Sequence, residues 1–325
     1  MSKKKNIVLY GAGAVGVYFV GRMSFCNSYK INFITRTEYS HVKEFGYNYQ
    51  SLRGDFKLSP DNINIVNSAN NLTEKADYVF ICTKVMPNID YKNNLSHVVN
   101  DNTVIVLIQN GLDIEDIFVK EFPNNHIISA VAYIGTQRIA LGNYSHYGGE
   151  GKLIFGDFRL KNGLNKPNDE FISEQCYELE KVFNANNVTA EITNDIVKTR
   201  YEKLCWNASF NTISVMGNHA TTKNIMDCSK SEQLAKNIMH EVEAISIADG
   251  HAISAGYIQK MLDFTRNFPE YKPSMLIDYE CGRPLEIDAI VSNAIIKANE
   301  LNVDVPLLKM TEALLKLFDR NNINK

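Results

Sequence analysis

The sequence predicts an α/β chain in two parts, a doubly wound sheet followed by an all-helical C-terminal domain, on three observations. A strand-like apolar run at 6–10 opens directly into a glycine-spaced turn. Strand-like and helix-like segments then alternate as a doubly wound sheet requires, and from residue 194 onward strand signals nearly vanish while helical spacing takes over. The expected domains are 1–193 and 194–325, and a chain of 325 residues exceeds one comfortable core.

The first element is the strand Asn6-Ile7-Val8-Leu9-Tyr10, followed by Gly11-Ala12-Gly13-Ala14-Val15-Gly16 and a helix-compatible segment at 17–23. Strand, Gly-x-Gly-x-x-Gly and helix in that order form the fingerprint of a Rossmann-type dinucleotide site. Gly11 allows the tight turn, Gly13 lets a pyrophosphate approach the backbone, and Gly16 lets helix and strand pack closely. The helix N-terminus, with Ala12, Ala14 and Val15 around it, offers unpaired N–H groups to the phosphates.

A second strand fits 30–36. Its C-terminal end carries Thr35 and Arg36 where an acid would accept bonds from the ribose of NAD. A guanidinium there can grip a 2′-phosphate with two bonds, so NADPH is the expected cofactor. Glu38 blurs that charge argument, and Arg36 read alone also fits an ordinary loop arginine.

Further strands are expected at 78–83, 103–108 and 127–133. The first two are apolar on both faces, as buried parallel strands are. They lead into Lys84 and into Gln109-Asn110-Gly111, which places Lys84 and Asn110 at the ligand-binding ends of the strands. The glycine-rich stretch 142–158 reads as an antiparallel hairpin, 161–170 as a surface loop, 172–183 as a helix and 188–192 as a short closing strand. Helices are expected at 195–216, 231–249, 257–264, 286–299 and 306–319, with the active site in the cleft between the two domains.

Composition excludes several classes. A formal charge of -3 and 45% hydrophobic residues offer no nucleic-acid surface, and the Met1-Ser2-Lys3-Lys4-Lys5 start is too short for a polybasic arm. No apolar run approaches the roughly 20 residues that span a bilayer, and no signal-peptide core opens the chain. Six scattered cysteines without a Cys-x-x-Cys pair point to reduced thiols in a cytoplasmic protein with no metal site.

The chemistry concentrates in the second half. Lys203, Asn207 and Asn211 are spaced four apart, which makes one polar stripe on a helix otherwise built of Leu204, Trp206, Ala208, Phe210 and Ile213. Either a cleft satisfies that stripe, or it is an exposed lysine with two helix-capping or core-bonded asparagines. A second cluster joins Ser274, Asp278, the Gly282-Arg283-Pro284 turn, Glu286 and Asp288. Helix capping alone would account for the last two acids, but not for their combination with Ser274 and Asp278.

These motifs resemble the ketopantoate reductase (2-dehydropantoate 2-reductase) family of the 6-phosphogluconate dehydrogenase-like superfamily. The likeness rests on Gly11 to Gly16, Gln109-Asn110-Gly111, Lys203-x-x-x-Asn207-x-x-x-Asn211, Ser274-Met275 with Asp278, and Gly282-Arg283-Pro284-x-Glu286-Ile287-Asp288. It implies NADPH-dependent reduction of a 2-oxo acid, ketopantoate to pantoate in pantothenate and coenzyme A synthesis. Lys203 would be the general acid with Glu286 beside it, and Asn110, Asn207, Asn211, Ser274 and Asp278 would bind substrate. Arg36 would take the 2′-phosphate, with Lys84 and Asn110 at the nicotinamide end. The chemistry of the residues agrees, since hydride arriving at a ketone carbon leaves charge on oxygen that a cationic donor must meet.

The chain departs from the family at Leu285, where Thr is common, at Val291 and Ser292, which often read Asn-Gly, and at Pro273. Other readings are a dehydrogenase for another small 2-oxo or 3-hydroxy acid and a non-catalytic nucleotide sensor. The partners expected are the small-molecule substrate and a second copy of the chain, with no nucleic acid and no membrane.

Overall fold

The computed structural model describes residues 4–160, 163–164 and 171–323. Among the described residues are eleven strands: β1 Lys5–Tyr10, β2 Tyr29–Ile34, β3 Tyr47–Ser51, β4 Phe56–Leu58, β5 Asn64–Val66, β6 Tyr78–Ile81, β7 Val104–Ile108, β8 His126–Ala140, β9 Asn143–Leu160, β10 Gly163–Leu164 and β11 Thr189–Ile192. The helices are α1 Ala14–Met23, α2 Tyr39–Phe45, α3 Tyr91–Leu95, α4 Asp116–Glu121, α5 Glu174–Ala185, α6 Ile196–Trp206, α7 Thr212–Met216, α8 Thr222–Asp227, α9 Ser229–Ala248, α10 Tyr257–Asn267, α11 Ser274–Glu280, α12 Asn293–Glu300 and α13 Pro306–Ile323. Two π-helical turns, Asn207–Asn211 and Asp288–Ser292, complete the set.

The chain divides into two units. One is Met1–Gln109 with Ile114–Ile196, and the other is Asn110–Asp113 with Val197–Lys325. The first is a mixed, mostly parallel sheet with strand order β4-β3-β9-β8-β7-β6-β1-β2-β5, and β10 and β11 pair with β9. Strands β1, β2, β5, β6, β7 and β8 run parallel to their neighbours, as βα crossovers require, and β8 and β9 pair antiparallel. The hairpin expected within 142–158 is instead a single strand, β9, which pairs with the long strand β8 across a turn at 141–142.

Strands β3, β4 and β5 were not anticipated. Each has three to five residues, and in β3 and β4 only alternate residues are buried, so their hydrophobic signal is short and diluted. The loop expected over 161–170 lies outside the described residues except for 163–164, which pair with β9.

The second unit is helical around one apolar core. Helix α9 buries Ala235, Ile238, Met239, Val242 and Ile245 at three- and four-residue intervals against Tyr201, Leu204, Phe210, Ile290, Val291 and Leu308. The single helices expected at 195–216 and 286–299 each contain one of the π turns. Among the described residues no helix is long and apolar enough to cross a membrane.

One buried cation organises an edge of the first core. Arg159 on β9, 6% exposed, donates Nη1 to Val119 O at 3.0 Å, Nε to Asn125 O at 3.2 Å, and Nη2 to Phe122 O and Asn125 O. Those carbonyls lie at and beyond the C-terminal end of α4, where a positive charge is favourable. Arg159→Met strands them without donors. Urea unfolding followed by circular dichroism should show a loss of about 1–3 kcal/mol, and unchanged stability would mean that water replaces the guanidinium.

Candidate active site

In the first unit the β1–α1 turn is built around its glycines. Gly11 has φ +97°, and a Cβ there would stand 2.6 Å from Thr83 N, at the end of β6. A Cβ at Gly16 would stand 2.7 Å from Gly11 O and 3.0 Å from both Cys82 Cβ and Leu9 Cδ1, so helix and strand approach only because it is absent. A Cβ at Gly13 would meet open space. Gly13 is also the N-cap of α1, which has no side-chain cap and no acid in its first turn. The N–H groups at the start of this ten-residue helix therefore have no side-chain cap.

At the end of β2, Thr35 is buried and its N–H donates to Val66 O at 3.0 Å. The Arg36 side chain is exposed and, among the described residues, forms no ion pair with a carboxylate. Glu38 does not compete with it. That carboxylate is 5% exposed and accepts from Tyr144 OH at 2.5 Å, Arg138 Nη1 at 2.7 Å and Gly142 N at 3.3 Å. Tyr144, which lies 3.3 Å from Ala12 O as well, ties the acid back to the glycine turn. Lys84 follows β6 and is half-buried.

In the second unit, Lys203 lies near the end of α6 and donates Nζ to Asn110 Oδ1 at 2.8 Å. Desolvation brings its ammonium down to about 7, with Arg200 repelling it further and Glu286 pulling in the opposite direction. Asn207 and Asn211 follow on the π turn. Eight residues of pure α-helix would carry a stripe roughly 80° round the axis. A π turn accommodates more residues, so it cancels that drift and keeps the three polar groups aligned. Ser209 Oγ to Cys205 O at 2.7 Å and Thr212 Oγ1 to Ala208 O at 2.6 Å satisfy carbonyls around the irregularity.

The two asparagines are buried at 6% and 1% exposure, and they differ. Asn211 Oδ1 accepts from Met275 N at 3.2 Å and Ser274 Oγ at 3.5 Å, which brings Asn211 and Ser274 together and caps α11 from outside. The Asn207 carboxamide makes no hydrogen bond among the described residues, which leaves it available to a ligand.

Glu286 is half-buried and acts on Lys203 through its charge. Asp278 is 8% exposed, and its Oδ1 accepts from Arg283 Nε at 2.8 Å, so the acid anchors the Gly282-Arg283-Pro284 turn. Two departures meet residues distant in the chain. Leu285 N donates to Asp319 Oδ1 at 3.1 Å, and Asn211 supplies the cap that Pro273 cannot. Ser292 Oγ is taken up by Asp288 Oδ1 at 3.1 Å and by Glu312.

The attachment of the loop 110–113 to the second π turn is the part that sequence reasoning missed. Leu112 N donates to Ala289 O at 3.0 Å, and Asn293 Nδ2 donates to Leu112 O at 2.7 Å. Gly111 has φ +112°, and a Cβ there would stand 2.6 Å from Ala289 O. The Gln109-Asn110-Gly111 spacing carried part of this signal, but nothing local to it names Ala289.

Comparison with known proteins bears on this geometry. The family model described as Ketopantoate reductase PanE/ApbA matches residues 7–159, and that described as Ketopantoate reductase PanE/ApbA C terminal matches 195–319. A 2-dehydropantoate 2-reductase from Nostoc sp. is 29% identical over 324 residues, covering 99% of this chain and 97% of that protein. The crystal structure of 2-dehydropantoate 2-reductase from Methylococcus capsulatus shares 32% identity and a TM-score of 0.86, covering 98% of this chain and 97% of its own. D-mandelate dehydrogenase, solved with NADH and anilino(oxo)acetate, shares the fold with a TM-score of 0.83 at 17% identity, covering 98% of this chain and 99% of its own. With both halves of its length matched, the chain belongs to the ketopantoate reductase family of nicotinamide-dependent oxidoreductases.

Proposed function

We propose that this protein reduces a 2-oxo acid with NADPH, 2-dehydropantoate to pantoate foremost, as a cytoplasmic step of pantothenate and coenzyme A synthesis. The observation that carries the reading is a desolvated Lys203 ammonium held on Asn110, with the unpartnered Asn207 carboxamide on the same helical face. The Gly11 to Gly16 turn and Arg36 are the residues that fit the dinucleotide, Arg36 because it is exposed while the nearby Glu38 is sequestered. When bound, the nicotinamide supplies the hydride that reduces the ketone carbon.

The side chains do the rest. As C2 of the substrate becomes tetrahedral, negative charge grows on its oxygen, and Lys203 stabilises that charge and then gives up a proton to it. Asn110 holds the ammonium in place. Asn207 and Ser274 offer neutral donors to the substrate carboxylate, and Glu286 accepts from a substrate hydroxyl while steadying Lys203. Asp278 contributes through the turn it anchors.

A 2-oxo acid other than ketopantoate is the second reading, favoured by Leu285, Val291 and Ser292 and by the committed hydroxyl of Ser292. A screen of NADPH and NADH oxidation against a panel of 2-oxo acids separates the two. A second copy of the chain is part of the proposal, because Met310, Leu314 and Leu317 stand exposed along one stripe of α13. Light scattering should give twice the mass of a 325-residue chain.

Two outcomes test the mechanism. The general acid must be protonated, so kcat/KM for reduction should be flat below about 7 and fall tenfold per unit above it. Lys203→Ala should lose at least about a hundredfold in kcat together with that alkaline limb, at unchanged cofactor affinity. A variant with near-normal turnover removes Lys203 from the chemistry. Arg36→Ala should weaken NADPH about ten- to a hundredfold and leave NADH unchanged. Equal losses for both cofactors would mean that Arg36 does not read the 2′-phosphate.

A further inference from the structure

We infer that Arg200 is a positioning residue for the reduction. One helical turn before Lys203, it ties the loop that carries Asn110 to the helix that carries the general acid, and it sets a second positive charge beside the ammonium. The inference rests on the reading of Lys203 as proton donor.

Arg200 is 3% exposed, and its Nη1 donates to Gly111 O at 3.0 Å. The acceptor belongs to the residue next to Asn110, whose Oδ1 takes the Lys203 proton donor at 2.8 Å. Two contacts from α6, three residues apart in the chain, therefore grip two consecutive residues of one loop. The loop's other side is held by Ala289 O, by Asn293 and by an ion pair of Asp113 with Lys297 at 3.1 Å. Ala289 lies in the second π turn, where the altered backbone pairing leaves a carbonyl available to Leu112 N. Without Arg200 the loop keeps its attachment to the π turn and its bond to Lys203, and loses the hydrogen bond at Gly111.

Arg200, from the same helix, and Glu286, from the segment before the second π turn, act on Lys203 with opposite effects. Removing the Arg200 charge lifts its repulsion of the ammonium. The protonated form of Lys203 is then favoured, and the alkaline limb of the reduction moves to higher pH.

The test uses the full-length enzyme, NADPH and the best 2-oxo acid from the panel. In Arg200→Met the alkaline limb of kcat/KM should rise by about 0.5–1 unit, and kcat should fall about tenfold with little change in the substrate KM. Arg200→Gln, which can still donate to Gly111 O, should show the same shift of the limb with kcat closer to wild type. If Arg200→Met does not fold, Arg200→Gln carries the test through the limb alone. A folded neutral variant with the wild-type limb overturns the inference. Lys203→Ala is the control: if it keeps the limb and the rate, the general-acid reading has failed. If it loses both while Arg200 variants match wild type, only the role of Arg200 falls.

Discussion

The helical unit is arranged around the cost of burying one lysine ammonium. Desolvating a cation is unfavourable, and the usual remedy is a carboxylate in contact, which would hold the lysine firmly charged. Here the ammonium donates to the neutral Asn110 carboxamide, and two charged neighbours, Arg200 and Glu286, act on it in opposite directions. The result is a lysine near 7, able both to carry a proton and to part with it. Much else follows from that arrangement. Asn110 must be presented by a loop close enough to the second π turn that Gly111 has no room for a side chain, and the α6 helix must keep its polar face aligned past Lys203.

The parts legible in the sequence are those where one residue type does one local task. The turn from Gly11 to Gly16 is such a case, because its glycines mark close contacts with Thr83, Cys82 and Leu9 that no other residue permits. The long helices were legible for the same reason, since α9 buries residues at regular spacing. The π turns were not. Lys203, Asn207 and Asn211 sit at α-helical intervals, and the extra residue per turn shows only in how Ser209 and Thr212 spend their hydroxyls on backbone carbonyls. Strands β3 to β5 escaped because each is too short for alternation to stand out.

Capping shows how a local rule is met by distant residues. Leu285 and Pro273 lack side chains that cap a helix, and the sequence around each looks like a loss. Asp319, on α13, accepts from Leu285 N, and Asn211, at the end of the first π turn, accepts from Met275 N. Asn211 thereby joins the polar stripe to α11 and fixes Ser274 next to it. A residue read as either a substrate ligand or a cap has its oxygen committed as a cap, while its amide nitrogen makes no bond among the described residues. The two readings of Asn211 concern different atoms and do not compete.

The same distinction between a residue's charge and its location governs the cofactor argument. Counted along the chain, Arg36 and Glu38 nearly cancel, and the preference for a 2′-phosphate looks weak. In the fold they occupy different environments. Glu38 is enclosed by Tyr144, Arg138 and the Gly142 N–H, where its charge is balanced by hydrogen bonds and a guanidinium, while Arg36 stands at the surface without a carboxylate partner among the described residues. An acid buried in that way has little field left to repel a phosphate, and it braces the turn at Ala12 through Tyr144. The proposed selectivity for NADPH therefore depends on Tyr144 and Arg138 as much as on Arg36, for without them Glu38 would return to solvent as the carboxylate that a 2′-phosphate avoids.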